Sequence, residues 1–424
     1  QNGSVLSRLG FPAIGGHRRF VTAIGIDAIG SGVWMPLSVL YFLKLTPLSL
    51  VEVGLALSIA SALSMPFSLA VGQLVDRFGA KAVLQAGNLM QAVAFAAYPV
   101  AKSLPVVAAV VGVAALGRTA FWGAYAPMVT AISGPGERER WFGFLSALRN
   151  AGFGIGGLMA SLALAVGTTW AYQGVVAANA ASYVVALVLM VAVPGGSPAG
   201  VTASMGGGWA TVLRDRGYRW LVLTNFGYAM AEMTLTFAMP VYFVQLLHLP
   251  GWVTGAVFII NTLMIGIGQG LVVSAMTGAV RSRIILAAAS FTAVSFGLMY
   301  VAGWFTVAAA VIVVLVAAVV YTLGEMVAGP VLGALAVEAP PPHLRGRYQS
   351  TVQLSWNASS AIAPVLFGWL ATRGSAPLWG GLVVLAALWA ACCVPLRRRL
   401  PLASLPVTNS PPVAEDPTSF SAER

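Results

Sequence analysis

The chain has 424 residues, a formal net charge of +11 and 58% hydrophobic residues, with a mean hydropathy of +0.86. No soluble domain keeps apolar runs this long and this numerous, and the two cysteines, the neighbours Cys392 and Cys393, exclude a disulfide or metal framework. Runs of about 20 apolar residues match a bilayer, and without strict alternation they read as helices, not barrel strands.

In chain order, twelve spans are expected near 20–43, 50–71, 82–101, 105–131, 142–166, 170–193, 219–247, 251–275, 284–303, 306–333, 349–372 and 376–395. The first is too long to be a cleavable signal peptide. Ser49 and Glu52 open the second as a capping box. With these spans, 18 of the 23 lysines and arginines fall on one side, three (Lys44, Lys102, Arg373) on the other, and Arg118 and Arg149 inside spans. That bias puts both termini in the cytoplasm of a multi-pass cell-membrane protein. It also explains the positive charge by topology, so no nucleic-acid partner is expected.

The stretch Val71–Leu84, VGQLVDRFGAKAVL, is a charged turn between the second and third spans. Gly72 allows close helix packing and Gly79 a tight turn. Asp76 can cap a helix or pair with arginine, and Arg77 and Lys81 mark the cytoplasmic side. The stretch resembles motif A of the major facilitator superfamily, G-x-L-x-D-R-x-G-R/K-R/K-x-x-L, at Gly72, Leu74, Asp76, Arg77, Gly79, Lys81 and Leu84; Ala80 departs from it. The resemblance implies an all-α membrane protein of twelve transmembrane helices in two pseudo-symmetric six-helix bundles. It also implies that Gly72, Asp76, Arg77, Gly79 and Lys81 form a conformational latch.

The divisions expected are an N-terminal bundle at 1–193, a cytoplasmic linker at 194–218, a C-terminal bundle at 219–399 and a disordered tail at 400–424. The halves look like repeats: shifted by 207 residues, Pro135, Arg138, Arg140, Trp141, Asn150 and Ala151 fall on Pro342, Arg345, Arg347, Tyr348, Asn357 and Ala358. Gly117 falls on Gly324 and Arg118 on Glu325. The second-half counterpart of motif A, 270–283, has Ser274 near the place of the Asp and is expected to be a poor latch.

Charges inside a membrane cost about 2.5–3.5 kcal/mol each on insertion scales. Asp27, Arg118, Glu232 and Glu325 fall on spans one, four, seven and ten, the helices that the resemblance places around a central cavity. Glu232 and Glu325 should lie roughly 18 Å deep, near the midplane. Carboxyls there can gain and lose a proton, so Glu325, Glu232 and Asp27 are the expected proton-coupling groups. The expected substrate-binding residues are Asp27, Trp34, Arg118, Trp122, Tyr125, Asn225, Tyr228, Glu232, Tyr321, Glu325, Trp356 and Asn357. Arg118 is expected to pair with Asp27, whereas Arg149 could snorkel or join the motif A network.

Arg118 and its neighbours loosely resemble motif B. Gly152-Phe153-Gly154-Ile155-Gly156-Gly157 resembles the antiporter motif C with Phe153 in place of Pro, which tilts transport outward. Acids on spans seven and ten are also similar to those of the superfamily's multidrug:proton antiporters. The resemblance therefore implies proton-coupled export of small lipophilic compounds by alternating access. The alternative is proton symport of a polar or anionic metabolite, with Arg118 on its anionic group. A non-transporting receptor is the third reading. No P-loop, HExxH, GxSxG or His/Cys cluster points to an enzyme. No cofactor or metal is expected; the partners are a small molecule, protons and membrane lipid, and the chain is expected to be a monomer.

Overall fold

The computed structural model describes residues 11–34, 38–134, 136–194 and 208–408. Positions 195–207 of the expected linker, 409–424 of the expected tail and Pro135 of the repeat comparison lie outside the described residues. Among the described residues the chain is helical, with two isolated β-bridges and no strand.

The helices are α1 Arg18–Trp34, α2 Ser38–Leu45, α3 Leu50–Phe78, α4 Ala80–Ala97, α5 Leu104–Ile132, α6 Arg138–Val166 and α7 Thr169–Val191. They continue as α8 Trp209–Arg214, α9 Arg216–Met233, α10 Trp252–Ala275, α11 Arg281–Ala302, α12 Val307–Glu338, α13 Arg345–Ala371 and α14 Ser375–Arg399. Seven of these, α3, α5, α7, α10, α11, α12 and α14, are long and apolar enough to cross a membrane on length and composition. The remaining long helices, α1, α4, α6, α9 and α13, lie at the other expected spans. They carry buried polar groups such as Asp27, Asn88, Arg149, Asn225 and Ser355, which dilute their hydropathy.

Local chemistry sets the helix ends. Ser49 and Glu52 form the expected capping box at α3, with the Ser49 N–H donating to Glu52 Oε2 at 2.8 Å. Gly79 ends α3 at φ 84°, a value costly for any residue with a Cβ. Asp215 caps α9 by accepting the Tyr218 N–H at 2.9 Å. Beyond Met233, α9 runs on through two π-helical segments, Thr234–Ala238 and Tyr242–Leu246. Pro240 lies between them; it has no N–H to donate and its ring crowds the carbonyl four residues back, which favours the wider register.

Buried apolar residues form three clusters. One draws only on 212–407, and two draw only on 11–193, so each half has its own core. The halves meet where α6 packs on α10 and α12, and where α3 and α5 pack on α13.

Glycines set the closest approaches. A Cβ on Gly117 would lie 2.7 Å from the Gly87 carbonyl oxygen, and one on Gly324 would lie 3.1 Å from that of Ala288. The two repeat-related positions thus do the same packing work. Two of the motif C glycines face α1: a Cβ on Gly156 would lie 2.5 Å from the Val33 nitrogen, and one on Gly152 2.7 Å from the Ala28 Cβ. Gly156→Val should therefore push α1 off α6. The expected result is a loss of folded yield of tenfold or more by size-exclusion chromatography, against little change for Gly157→Ala, whose Cβ meets nothing within 4 Å.

Two boundary expectations need correction. The linker does not run to residue 218: Trp209–Arg214 is helical and Val212 and Tyr218 are buried, because their apolar side chains join the second-half core. The tail is not disordered from residue 400: Pro401–Ser404 forms a 3-10 turn, Ala403 and Val407 are buried, and the Gly278 N–H donates to the Val407 carbonyl at 2.7 Å. Backbone pairing and two buried apolar side chains hold that segment.

Candidate functional site

The first half holds a cavity of about 270 Å³ lined by residues of all seven helices from α1 to α7. Asp27, Trp34, Arg118 and Trp122 line it, together with Gln91, Tyr98, Arg149 and Tyr183, which sequence reasoning had not placed there; Glu232 and Glu325 of the expected central cavity do not. Tyr125 is not in the wall; it is buried behind Trp122, with ring centroids 5.2 Å apart.

The expected Asp27–Arg118 pair does not form. Asp27 Oδ2 accepts from Arg149 Nη1 at 2.8 Å. The reason is helix neighbourhood: α1 packs along α6 and α7, and the small residues Gly152 and Gly156 bring α6 against α1. Arg149 therefore neither snorkels nor joins motif A. Its guanidinium carbon lies 4.5 Å from the Trp122 ring centre and 5.2 Å from that of Phe153, so aromatic faces cover the cation. Arg118, on α5, is exposed to the cavity and has no carboxylate, carbonyl or ring partner among the described residues.

Among the described residues, the second half holds two carboxyls without a cation. Glu232, at the last regular turn of α9 before its π-helical segment, and Glu325 on α12 lie close enough to repel. The Tyr228 hydroxyl lies at the Glu232 carboxyl, and Asn261 on α10 donates from Nδ2 to Glu325 Oε2 at 2.6 Å. Sequence reasoning missed Asn261; the signal was an amide inside the otherwise apolar run Trp252–Ala275. Tyr228 and Trp356 are neighbours, with ring centroids 5.8 Å apart.

Three expected substrate ligands have other work. Asn225 donates to Ser355 Oγ at 2.7 Å, tying α9 to α13. The Tyr321 hydroxyl donates to the Ala231 carbonyl at 3.1 Å, tying α12 to α9. Asn357 Oδ1 accepts from Gln353 Nε2 at 3.3 Å, within its own helix. Each sits on the expected helix but is turned to a neighbouring helix or its own turn.

The arginine-rich end is closed at both seams between the halves. Asp76 Oδ1 accepts the Gly346 N–H at 2.6 Å and Oδ2 the Arg347 N–H at 3.2 Å, so an α3 carboxylate sits on the N-terminus of α13. Gly72 allows this: a Cβ there would lie 2.8 Å from the Gly346 carbonyl oxygen. Arg77 and Lys81 do not cross the seam. Arg77 lies over the neighbouring Phe78 ring, and Lys81 Nζ donates to the Val191 and Val193 carbonyls at 2.8 and 2.6 Å, closing the end of α7. The opposite seam carries a charge network the sequence had not shown. Arg281 Nε donates to Glu139 Oε1 at 2.7 Å, and Glu338 bridges Arg281 at 2.9 Å and Arg138 at 3.0 Å.

A family model described as Major Facilitator Superfamily matches residues 20–364, and the chain belongs to that superfamily. That superfamily is one of membrane transporters. Among curated proteins, the multidrug resistance protein MdtH of Edwardsiella ictaluri is 29% identical over 214 residues, which cover 50% of this chain and 52% of the relative. MdtH of Yersinia enterocolitica matches to the same extent. The chain thus spans about half the length of the curated relatives it matches. Among solved structures, a bacterial homologue of the iron transporter ferroportin in its outward-facing state has a TM-score of 0.69 at 15% identity, covering 90% of this chain and 98% of that one. The proton:xylose symporter XylE bound to 6-bromo-6-deoxy-D-glucose has a TM-score of 0.68 at 14% identity, covering 87% and 94%. At these identities the likeness shows the fold alone.

Proposed function

We propose that this chain is a proton-coupled exporter of small lipophilic compounds, working by alternating access between two six-helix bundles of twelve spans in all. Both termini lie in the cytoplasm of the cell membrane. The latched arginine-rich end is then the cytoplasmic one, and the conformation is outward-facing. The observation that carries the reading is the Glu232–Glu325 pair, two carboxyls close together deep in the second half with no cation partner among the described residues. Two like charges that close cannot both ionise cheaply, so one proton is easily shared and easily handed on. The name of the MdtH relatives supports drug efflux as the direction and class.

The test is flux in proteoliposomes under an imposed pH gradient. Glu325→Gln should lower gradient-driven export at least tenfold while binding persists. An unchanged pH profile in that variant would sink Glu325 as a coupling group. The exposed Arg118 favours a second reading, proton symport of an anion. The two differ in the sign of the flux: with the proton gradient directed inward, export depletes the interior of substrate and symport fills it.

A further inference from the structure

Arg118 is the charge the fold leaves unanswered. Nine of the chain's twelve carboxylates are among the described residues. Asp27 is taken by Arg149, Glu52 and Asp215 cap helices, and Glu232 and Glu325 belong to the second half. The other four, Asp76, Glu137, Glu139 and Glu338, sit at the arginine-rich end. The remaining three lie beyond residue 408. The Asp27–Arg149 pair adds no net charge to the cavity, so Arg118 gives it one net positive charge.

The polar atoms beside it lean the same way. The Gln91 amide lines the cavity without a hydrogen bond among the described residues, and the Tyr98 hydroxyl lies within electrostatic reach of Arg118 and is likewise unspent. Among the described residues Tyr183 shares its hydroxyl only with Ser31 Oγ, at 3.5 Å. The wall thus offers Arg118 company from groups that can donate, the Gln91 amide and the Tyr98 hydroxyl. Between these groups stand aromatic rings: Trp34 and Phe95 meet edge-on at 5.0 Å between centroids, and Trp122 on α5 also lines the cavity. A charged guanidinium kept unpaired inside a membrane protein marks a place for a ligand, and its fork of N–H groups fits a planar carboxylate best.

We infer that the substrate of this cavity is an amphipathic anion, a flat apolar body ending in a carboxylate, with the carboxylate on Arg118 and the body between the aromatic walls. This deepens the proposed transport function and rests on it for the word substrate.

The experiment is calorimetric titration of the full chain in detergent with 2-naphthoate, 2-naphthamide and 2-naphthylmethylamine, with chloride as the inorganic control. Naphthoate should bind at least tenfold more tightly than the amide or the amine. Arg118→Gln should erase that preference, and Arg118→Lys should restore part of it. Should Arg118→Gln fail to fold, Gln91→Leu supplies the measurement, weakening naphthoate severalfold without moving the amide. Tighter binding of the amine, a carboxylate preference that survives Arg118→Gln, or chloride displacing naphthoate at micromolar concentration would overturn the inference. Naphthoate binding without any pH-driven flux would instead overturn the transport reading and leave this one standing.

Discussion

Arg149→Met should destabilise the folded chain by about 3–5 kcal/mol, the usual cost of removing one partner of a buried ion pair. Asp27 is 2% exposed and Arg149 6%, so neither charge can turn to water when its partner goes. The loss is compounded by the rings of Trp122 and Phe153, which would pack against a shorter chain and leave a gap. Arg149→Lys should fall between, keeping the charge but losing the planar fork. The double variant Asp27→Asn with Arg149→Met should recover most of the loss, since a neutral amide is cheaper to bury than an orphaned carboxylate. Thermal unfolding of the four proteins in one detergent checks this. Equal melting temperatures for the wild type and Arg149→Met would mean that the pair contributes nothing. If the double variant is stable yet still exports under a pH gradient, Asp27 has no part in coupling, and the work falls to Glu232 and Glu325.

The sequence made much of this site legible, and its failures share one cause. Apolar run length located the helices, the Ser49–Glu52 spacing named a cap, and glycine at 72 and 79 marked a turn that packs tightly. Rotation and neighbourhood were not legible. Arg118 was the partner expected for Asp27, with Arg149 snorkelling or in the motif A network, and only the packing of α1 along α6 puts Arg149 there instead. Asn225 and Tyr321 were on the expected helices, but small rotations turned them to Ser355 and the Ala231 carbonyl. Segment 270–283 looked like a failed copy of motif A because its acid was missing. The charge is present in another form: Arg281 lies at its end, and the acid comes from Glu139 in the other half.

Arg281→Gln should open the arginine-rich end far more than loss of the motif A acid. Glu139 is 0% exposed and Arg281 4%, and Glu338 leans on the same guanidinium. Removing it leaves the buried Glu139 carboxylate without its cation at the α6–α11–α12 seam, while Glu338 keeps Arg138, at a cost of about 3–5 kcal/mol to the closed arrangement. That is enough to carry a closed state from about 99:1 to a minority, since about 5.5 kcal/mol inverts such a ratio fully. Asp76→Asn removes less. The amide oxygen can still accept the Gly346 N–H, so about 1.5–3 kcal/mol is lost, the worth of a charge-assisted hydrogen bond. Spin-label distances across the arginine-rich end should therefore lengthen in both variants, with the larger open fraction in Arg281→Gln. Exchanging the charges, Glu139→Arg with Arg281→Glu, leaves Glu338 against a new carboxylate and should rescue only in part. Adding Glu338→Gln should improve the rescue. A merely structural role would lower the melting temperature and leave the distance distribution where it was. That outcome would remove the second latch, while the first, between Asp76 and the N-terminus of α13, would stand or fall on its own variant.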